Sequence, residues 1–393
     1  MSAAHAAWMT GGAMPAVTRG TLRSVDPEET WARVEPLLAA RGITRIADLT
    51  DLDVLGVPVW TAIRPAAATL VASAGKGLTH CAARISAVME SLEVAAAEAA
   101  RLPAARRGTG TGTDPGYSVS ELSLHPVSLM DDRSVLDWVE GWDLVSGATA
   151  LVPAAAVGLR GWAADSWHPP MFLTTTNGLA GGNDHVEATL HGLLELVERN
   201  ALARLVPGGG ARVDPATVGD RLGGVLERIR ATGAEAVLER VPSVPGTWTY
   251  TCWLVQPEMW QVFGGSGCHT VAAIAAERAL MEAVQSRGST ISGGRDDIPD
   301  WTFRRSGRVG ALPRPASDGQ EPLPLADGPA RPLAAVLDDV VGAVHRSTGR
   351  PVIAVDLTPP TDPWPPTVQV FAPGLGLVLE HPRPQELTSR SFV

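Results

Sequence analysis

Three segments of this chain repeat one pattern of polar residues. Ser86-Ala-Val-Met-Glu90-Ser-Leu-Glu93, His191-Gly-Leu-Leu-Glu195-Leu-Val-Glu198 and Arg278-Ala-Leu-Met-Glu282-Ala-Val-Gln285 share it. Each has a polar residue, three small or apolar residues, Glu, two further residues, and then Glu or Gln. With 3.6 residues per turn, the three polar positions of a copy fall within about 60° of one another on a helical wheel. The apolar positions (Val88-Met89-Leu92, Leu193-Leu194-Val197, Leu280-Met281-Val284) point elsewhere, toward a shared core. A single helix of this kind reads as a solvated acidic face, since surface glutamates are the norm. Recurrence in three places favours three faces built to meet.

The central copy sits in the most organised stretch. A β-rich lead, Met171 to Thr176, runs into the glycine-punctuated turn Asn177 to Asn183 and then into a helix. Asp184 is its N-cap, and Glu187 occupies the capping-box position. Leu190, Leu193, Leu194, Val197 and Ala201 form the apolar stripe, and Glu187 joins His191, Glu195 and Glu198 on the arc beside it. If the three faces converge, five glutamates and one glutamine line a single cleft. Unpaired buried carboxylates protonate rather than stay charged, so such a cleft requires cations. Hard oxygen ligands select Mg²⁺, which keeps waters and completes its octahedron with substrate phosphates.

Composition narrows the partners. Of 32 basic residues only Lys76 is lysine, and it stands between Gly75 and Gly77. It is either an accident of composition or a compact point charge placed beside a phosphate. A net charge of −10 with no basic run argues against nucleic acid and anionic membrane as main partners. Three scattered cysteines (Cys81, Cys252, Cys268) make neither a disulfide framework nor a CxxC metal site, and they fit a reduced cytoplasm. No apolar run reaches the roughly 18 residues of a spanning helix, and no export signal opens the chain. The expected location is cytoplasmic.

Along the chain, residues 1–18 read as a disordered tail and 382–393 as a polar one, with a single domain of internal subdomains over 19–381. Asp26 and Pro27 open a helix expected to run to Ala40. Strands are expected within 57–64 and 69–73, a hairpin over 134–159, a helix over 219–240 and a strand over 247–256. Residues 304–332 read as a long loop or lid, followed by a helix, a strand and a strand pair. Helices alternate with strands, several of them hairpin-linked. The fold class is therefore α/β or α+β with mixed sheets.

Several ordered blocks resemble the YcaO family of ATP-dependent peptide-backbone modifying enzymes, over nearly the whole chain. They are Gly75-Lys76-Gly77; Ser86 with Glu90 and Glu93; Asn177-Gly178 through Gly182-Asn183; Glu187; Glu195-Leu-Val-Glu198-Arg199; and Glu282 with Gln285. The resemblance implies a YcaO-type fold, with mixed sheets and helices around a nucleotide cleft, and ATP and Mg²⁺ as cofactors. Carried over residue by residue, it implies Glu90, Glu93, Glu187, Glu195, Glu198 and Glu282 as metal ligands. For the nucleotide it implies Lys76, Ser86, Glu90, Asn183, Glu187, Glu198, Arg199, Glu282 and Gln285. Arg23 and Thr30 keep the family's seven-residue spacing of a basic and a hydroxyl residue near the nucleotide. Arg199 and Arg287 are the cations nearest the glutamates, either to stabilise a transferring phosphoryl group or simply to pair with those carboxylates.

The implied reaction is addition of a nucleophile to a peptide carbonyl, phosphorylation of the resulting oxygen by ATP, and loss of phosphate. The family's products are azolines, macroamidines or thioamides. The opening Arg19-Gly-Thr through Asp26-Pro-Glu-Glu-Thr30, and a tail that lacks Pro-x-Pro-x-Pro, are similar to stand-alone members that pair with a TfuA protein in thioamidation. A ribosomally made precursor peptide, a TfuA-type partner and a homodimer are the expected partners. Two other classes compete. A di-iron carboxylate enzyme needs Glu-x-x-His repeats that are not here, and a non-catalytic peptide-binding subunit has no reason to keep five converging glutamates.

Overall fold

The structure, a computed structural model, describes residues 16–18, 21–159, 171–205, 210–257, 259, 261–294, 319–325, 331–360 and 364–377. Seven α-helices are present among these: α1 (Pro27–Val34), α2 (His80–Ala99), α3 (Gly110–Thr113), α4 (His185–Ala203), α5 (Gly219–Ala231), α6 (Ala272–Ser292) and α7 (Leu333–Thr348). The strands are β1 (Ala16–Thr18), β2 (Thr21–Arg23), β3 (Arg45–Asp48), β4 (Val59–Ile63), β5 (Ala72–Lys76), β6 (Arg106–Thr109), β7 (Val135–Asp143) and β8 (Ala148–Pro153). They continue with β9 (Leu179–Gly181), β10 (Ala211–Val213), β11 (Glu235–Val241), β12 (Trp248–Val255), β13 (Phe263–His269), β14 (Gln320–Glu321), β15 (Ile353–Asp356) and β16 (Thr367–Phe371).

Four sheets result. A three-stranded sheet has the order β3-β4-β5, a five-stranded one β13-β12-β11-β10-β14, and a six-stranded one β6-β7-β15-β16-β9 with β8 on β7. A ladder of β1 and β2 completes the set. Among the described residues only β10 and β14 pair in parallel; the other ladders are antiparallel. The fold is α+β with one mixed sheet, as the hairpin-linked pattern predicts.

The long helices bury their apolar faces in separate clusters, not in one shared core. Ala87, Val88 and Leu92 of α2 pack with Val34, Ile43 and Ala62. Leu190, Leu193, Leu194 and Val197 of α4 pack with Val336, Val340 and Val344 of α7. Leu280, Met281 and Val284 of α6 pack with Tyr250, Phe263, Leu222 and Ile229.

Element ends differ from the sequence reading for local reasons. The first helix stops at Val34 because Pro36 lacks the N–H that would continue it, and 3₁₀ turns lead to Gly42 at φ 74°. The helix expected over 219–240 ends at Ala231, where Gly233 at φ 81° reverses the chain into β11. Residues 16–18, assigned to the tail, pair with β2. Residues 1–15 and 382–393, and most of 304–332, lie outside the described residues.

Candidate functional site

Each of the three patterned helices follows a glycine-bearing strand or turn and packs directly on it: α2 on β5, α4 on β9, α6 on β13. The approach is too close for a side chain. A Cβ on Gly75 would stand 2.1 Å from the Ala83 carbonyl oxygen and 2.2 Å from the Ala87 nitrogen. One on Gly265 would stand 2.2 Å from the Ala283 nitrogen. These glycines serve backbone contact, not a phosphate loop.

Side chains alternate across a strand, so what lies between the glycines faces the other way. Lys76, between Gly75 and Gly77, turns from α2 toward α6 and donates to Glu282 Oε2 at 2.9 Å. Ser266, between Gly265 and Gly267, turns from α6 toward α4 and donates to Glu198 Oε1 at 2.6 Å. Each strand thus serves two helices, and α6 packs on β5, α4 on β13 and α2 on β9 as well. Glu93 lies against Gly181 of β9, whose N–H favours its charged form. Gln285 donates to the Ala74 carbonyl of β5 at 2.7 Å. That last partner is an acceptor, which explains Gln where the other two copies have Glu: a carboxylate cannot donate.

The convergence of the three faces is visible in their electrostatics. Burial pushes the Glu93 carboxyl up to about 8, eased by the Gly181 N–H and reinforced by Glu90 and Glu195. Glu195 is raised too, by burial and by Glu198, against the pull of Arg199 and the Gly178 N–H. Arg199 is held above its ordinary value although burial opposes this, because Glu195, Glu198 and Glu282 surround it. Its Nη2 lies 3.4 Å from Glu195 Oε1. So α2, α4 and α6 contribute to one charge cluster. Ser86, one turn before Glu90 on α2, is half-buried.

Exposure divides the cluster into two layers. Glu195 and Glu282 keep 21% of their side-chain surface, Arg199 19% and Lys76 25%, so a ligand can reach them. Glu198 and Gln285, one turn deeper, keep only 4% and 8%.

Glu187 behaves differently from the other carboxylates. Asp184 caps α4 by accepting from the Glu187 N–H at 2.8 Å, as expected, but the Glu187 side chain does not return to Asp184. Its Oε1 accepts from Arg23 Nη1, Asn183 N and Asn183 Nδ2, and its Oε2 from Ser24 N, Ser24 Oγ and Asn183 Nδ2. Burial alone would raise this carboxyl; Arg23, the Ser24 N–H and Asn183 outweigh it and hold it below the usual carboxylate range. Thr30 Oγ1 donates to Asn183 Oδ1 at 3.0 Å. In this structure the Glu187 carboxylate, expected as a metal ligand, ties the N-terminal segment to α4 through Arg23 and Ser24.

Arg287, the other cation expected near the glutamates, is hydrogen-bonded to Asp53. Its Nε and Nη2 donate to the two Asp53 oxygens at 2.8 and 2.9 Å, and both side chains are buried. Position 287 lies five residues after Glu282, on another side of α6, where Asp53 of the β3–β4 connection meets it.

Three participants were missed. Ser24 and Ser266 carry no helical pattern, and only tertiary contact reveals them. Arg278 stands at the first position of the repeated pattern and could have been found there. Its Nη2 lies 3.1 Å from His191 Nε2. Burial first, then Arg278, Arg23, Lys76 and His269, push the His191 pKa well down, so the imidazole is neutral.

The donor set fits Mg²⁺ and a polyphosphate. Among the described residues no three His, Cys, Asp or Glu side chains are gathered closely enough to hold a metal ion alone. Mg²⁺ characteristically takes one or two carboxylates and leaves its other positions to phosphate oxygens and water. Carboxylates interleaved with Lys76, Arg199 and Arg278 provide for both. No described helix is long and apolar enough to cross a membrane.

Comparison with known proteins agrees with this chemistry. The family model described as YcaO cyclodehydratase, ATP- and Mg²⁺-binding, matches residues 74–376. An uncharacterized protein of Mycobacterium tuberculosis is 36% identical over 367 residues, which cover 91% of this chain and 83% of that protein. An uncharacterized protein in the tfuA 3′ region of Rhizobium leguminosarum bv. trifolii is 35% identical over 332 residues, 79% of this chain and 75% of that one. Among solved structures, YcaO from Methanopyrus kandleri bound with AMPPCP and Mg²⁺ shares the fold. Its TM-score is 0.72 at 24% identity, with 92% of this chain and 95% of that one covered. The chain therefore belongs to the YcaO family, whose model describes the binding of ATP and Mg²⁺.

Proposed function

We propose that this protein activates a backbone amide of a ribosomally made precursor peptide, with ATP and Mg²⁺, and that with a TfuA-type partner it forms a thioamide. The observation that carries the ATP-dependent part is the meeting of three carboxylate faces, interleaved with Lys76 and Arg199, in one reachable cluster. Support for the thioamide comes from the relative in the tfuA 3′ region.

Amide oxygen is a poor leaving group, and ATP supplies the phosphoryl group that makes it a good one. Hydrosulfide adds to the carbonyl carbon, the resulting oxygen takes the γ-phosphoryl group and ADP departs. The C–O bond then breaks, phosphate leaves with the hydrosulfide proton, and C=S remains. One or two of the reachable carboxylates, Glu90, Glu195 and Glu282, would hold the metal, with Glu93 and Glu198 one turn further along α2 and α4. Lys76, Arg199 and Arg278 neutralise phosphate charge that grows in the transition state. Arg23 and Thr30 border the nucleotide from the N-terminal segment, Asn183 borders it from the turn before α4, and Ser86 borders it from α2. Gln285 and Glu187 act on these groups from behind.

The test combines the purified protein, Mg²⁺-ATP, a candidate precursor peptide, a TfuA-type partner and sulfide. Phosphate release together with exchange of one oxygen for one sulfur in the peptide mass is the expected result. Loss of one water instead assigns an azoline or macroamidine. A protein that binds the peptide but never consumes ATP is a binding subunit, and the proposal fails.

A further inference from the structure

The three strand–helix units close on one another in a ring. The last position of the repeated pattern is held each time by the strand of another unit: Glu93 by Gly181 of β9, Glu198 by Ser266 of β13, Gln285 by Ala74 of β5. Those strands precede α4, α6 and α2 respectively, so α2 leans on the unit of α4, α4 on that of α6, and α6 on that of α2.

We propose that Ser266 and Gln285 are positioning residues, which fix the separation of the reachable carboxylates so that the Mg²⁺-nucleotide site exists before its ligand arrives. This rests on the ATP-dependent reading above. Ser266 is 1% exposed and Gln285 8%, so both stand behind the layer that a ligand can touch. Each sits one turn or one contact from it. Glu198, which Ser266 holds, follows Glu195 by three residues, and Gln285 follows Glu282 by three. Arg199 interacts with Glu195, Glu198 and Glu282 together.

The strands leave little choice of residue. Gly265 and Gly267 are pressed on α6, where a Cβ would meet backbone atoms at 2.2 and 2.4 Å, so β13 cannot shift to let a different side chain reach Glu198. Repulsion between clustered carboxylates pushes the helices apart, and the ring is the contact set that opposes it. Preorganisation of this kind is what a site for transferred charge needs, because no reorganisation remains at the moment of reaction.

The experiment titrates full-length protein with Mg²⁺ and the non-hydrolysable analogue AMPPCP by calorimetry, with thermal melting in parallel. Ser266→Ala and Gln285→Met are each expected to weaken binding by about tenfold or more, the equivalent of one lost hydrogen bond to a charged or buried group. Tyr117→Phe is the comparison. It deletes a part-buried hydrogen bond to the Leu151 carbonyl of β8 (2.9 Å), which involves none of the cluster's side chains, and should lower the melting temperature without changing affinity. Ser266→Cys keeps size and a weak donor, and should bind at an intermediate level if Ser266→Ala does not fold. Wild-type affinity in Ser266→Ala, or in Ser266→Cys where Ala is unfolded, overturns the inference. So does an equal loss in Tyr117→Phe. Failure of the wild-type protein to bind Mg²⁺-AMPPCP would instead sink the ATP-dependent reading itself.

Discussion

Lys76 Nζ lies 2.9 Å from Glu282 Oε2, although 206 positions of chain separate the two residues. The contact joins the unit of α2 to that of α6 and puts the chain's one lysine inside the carboxylate cluster. Both side chains keep about a quarter of their surface or less, so the pair is reachable and partly screened.

An exposed or half-exposed ion pair contributes no more than about 1 kcal/mol. Lys76→Ala should therefore cost little stability, whereas ATP consumption should fall well beyond any loss of fold. Lys76→Arg should restore little of it. The guanidinium is planar and larger, and its fork does not reproduce the compact point charge that meets Glu282 at 2.9 Å. Near-normal turnover by Lys76→Ala would show that the lone lysine has no part in the reaction.

Gly75→Ala should damage the fold itself. Its Cβ would collide with backbone of α2, which has no rotamer by which to yield. The expected loss is at least about 3 kcal/mol, the upper end for overpacking. Urea denaturation monitored by circular dichroism measures it, and a loss under about 1 kcal/mol would contradict the packing described here.

Arg287→Ala should act on stability, not on chemistry. It leaves Asp53 buried without its partner, which costs about 3–5 kcal/mol. Protein that remains folded should keep its rate of ATP consumption per molecule. A large fall in kcat with an unchanged melting temperature would return Arg287 to the phosphoryl group.

Glu98 sets part of the acid limb of stability. Burial would raise its carboxyl, but hydrogen bonds from Arg64 and Thr69, and the Arg64 charge, outweigh burial and hold it below the ordinary value. A carboxyl with a depressed folded-state pKa stabilises the fold above the unfolded-state value. That contribution disappears as pH falls through the folded-state one. Glu98→Gln should thus be less stable than wild type at neutral pH, and the difference should shrink below about pH 4.5. A stability difference that stays constant down to pH 3 would disprove the assignment.

Ligand linkage gives a last test. At a hundredfold excess over its dissociation constant, a ligand that binds only the folded state stabilises it by about 2.7 kcal/mol. Mg²⁺-ATP should raise the melting temperature accordingly, and ATP with chelator should not, because the carboxylates then keep their mutual repulsion. No shift with any divalent ion would favour a binding subunit over an enzyme.

By itself, the sequence determined which polar residues share a helical face. Helical periodicity is local, so Glu90 with Glu93, Glu195 with Glu198, and Glu282 with Gln285 could be placed on shared faces before any contact was known. The Asp184 cap and the strand at 248–255 were legible for the same reason: each depends on residues a few positions apart. What only the tertiary structure decided is which partner each group meets. Glu187 is saturated by Arg23 and Ser24, about 160 positions away, and Arg287 by Asp53, 234 positions away. The use of Gln at 285 makes sense only beside the Ala74 carbonyl. The Gln285 pairing follows from how β5, like β9 and β13, meets two helices. No periodicity along the chain encodes that arrangement, because the alternation of a strand says that it has two faces but not what will cover them.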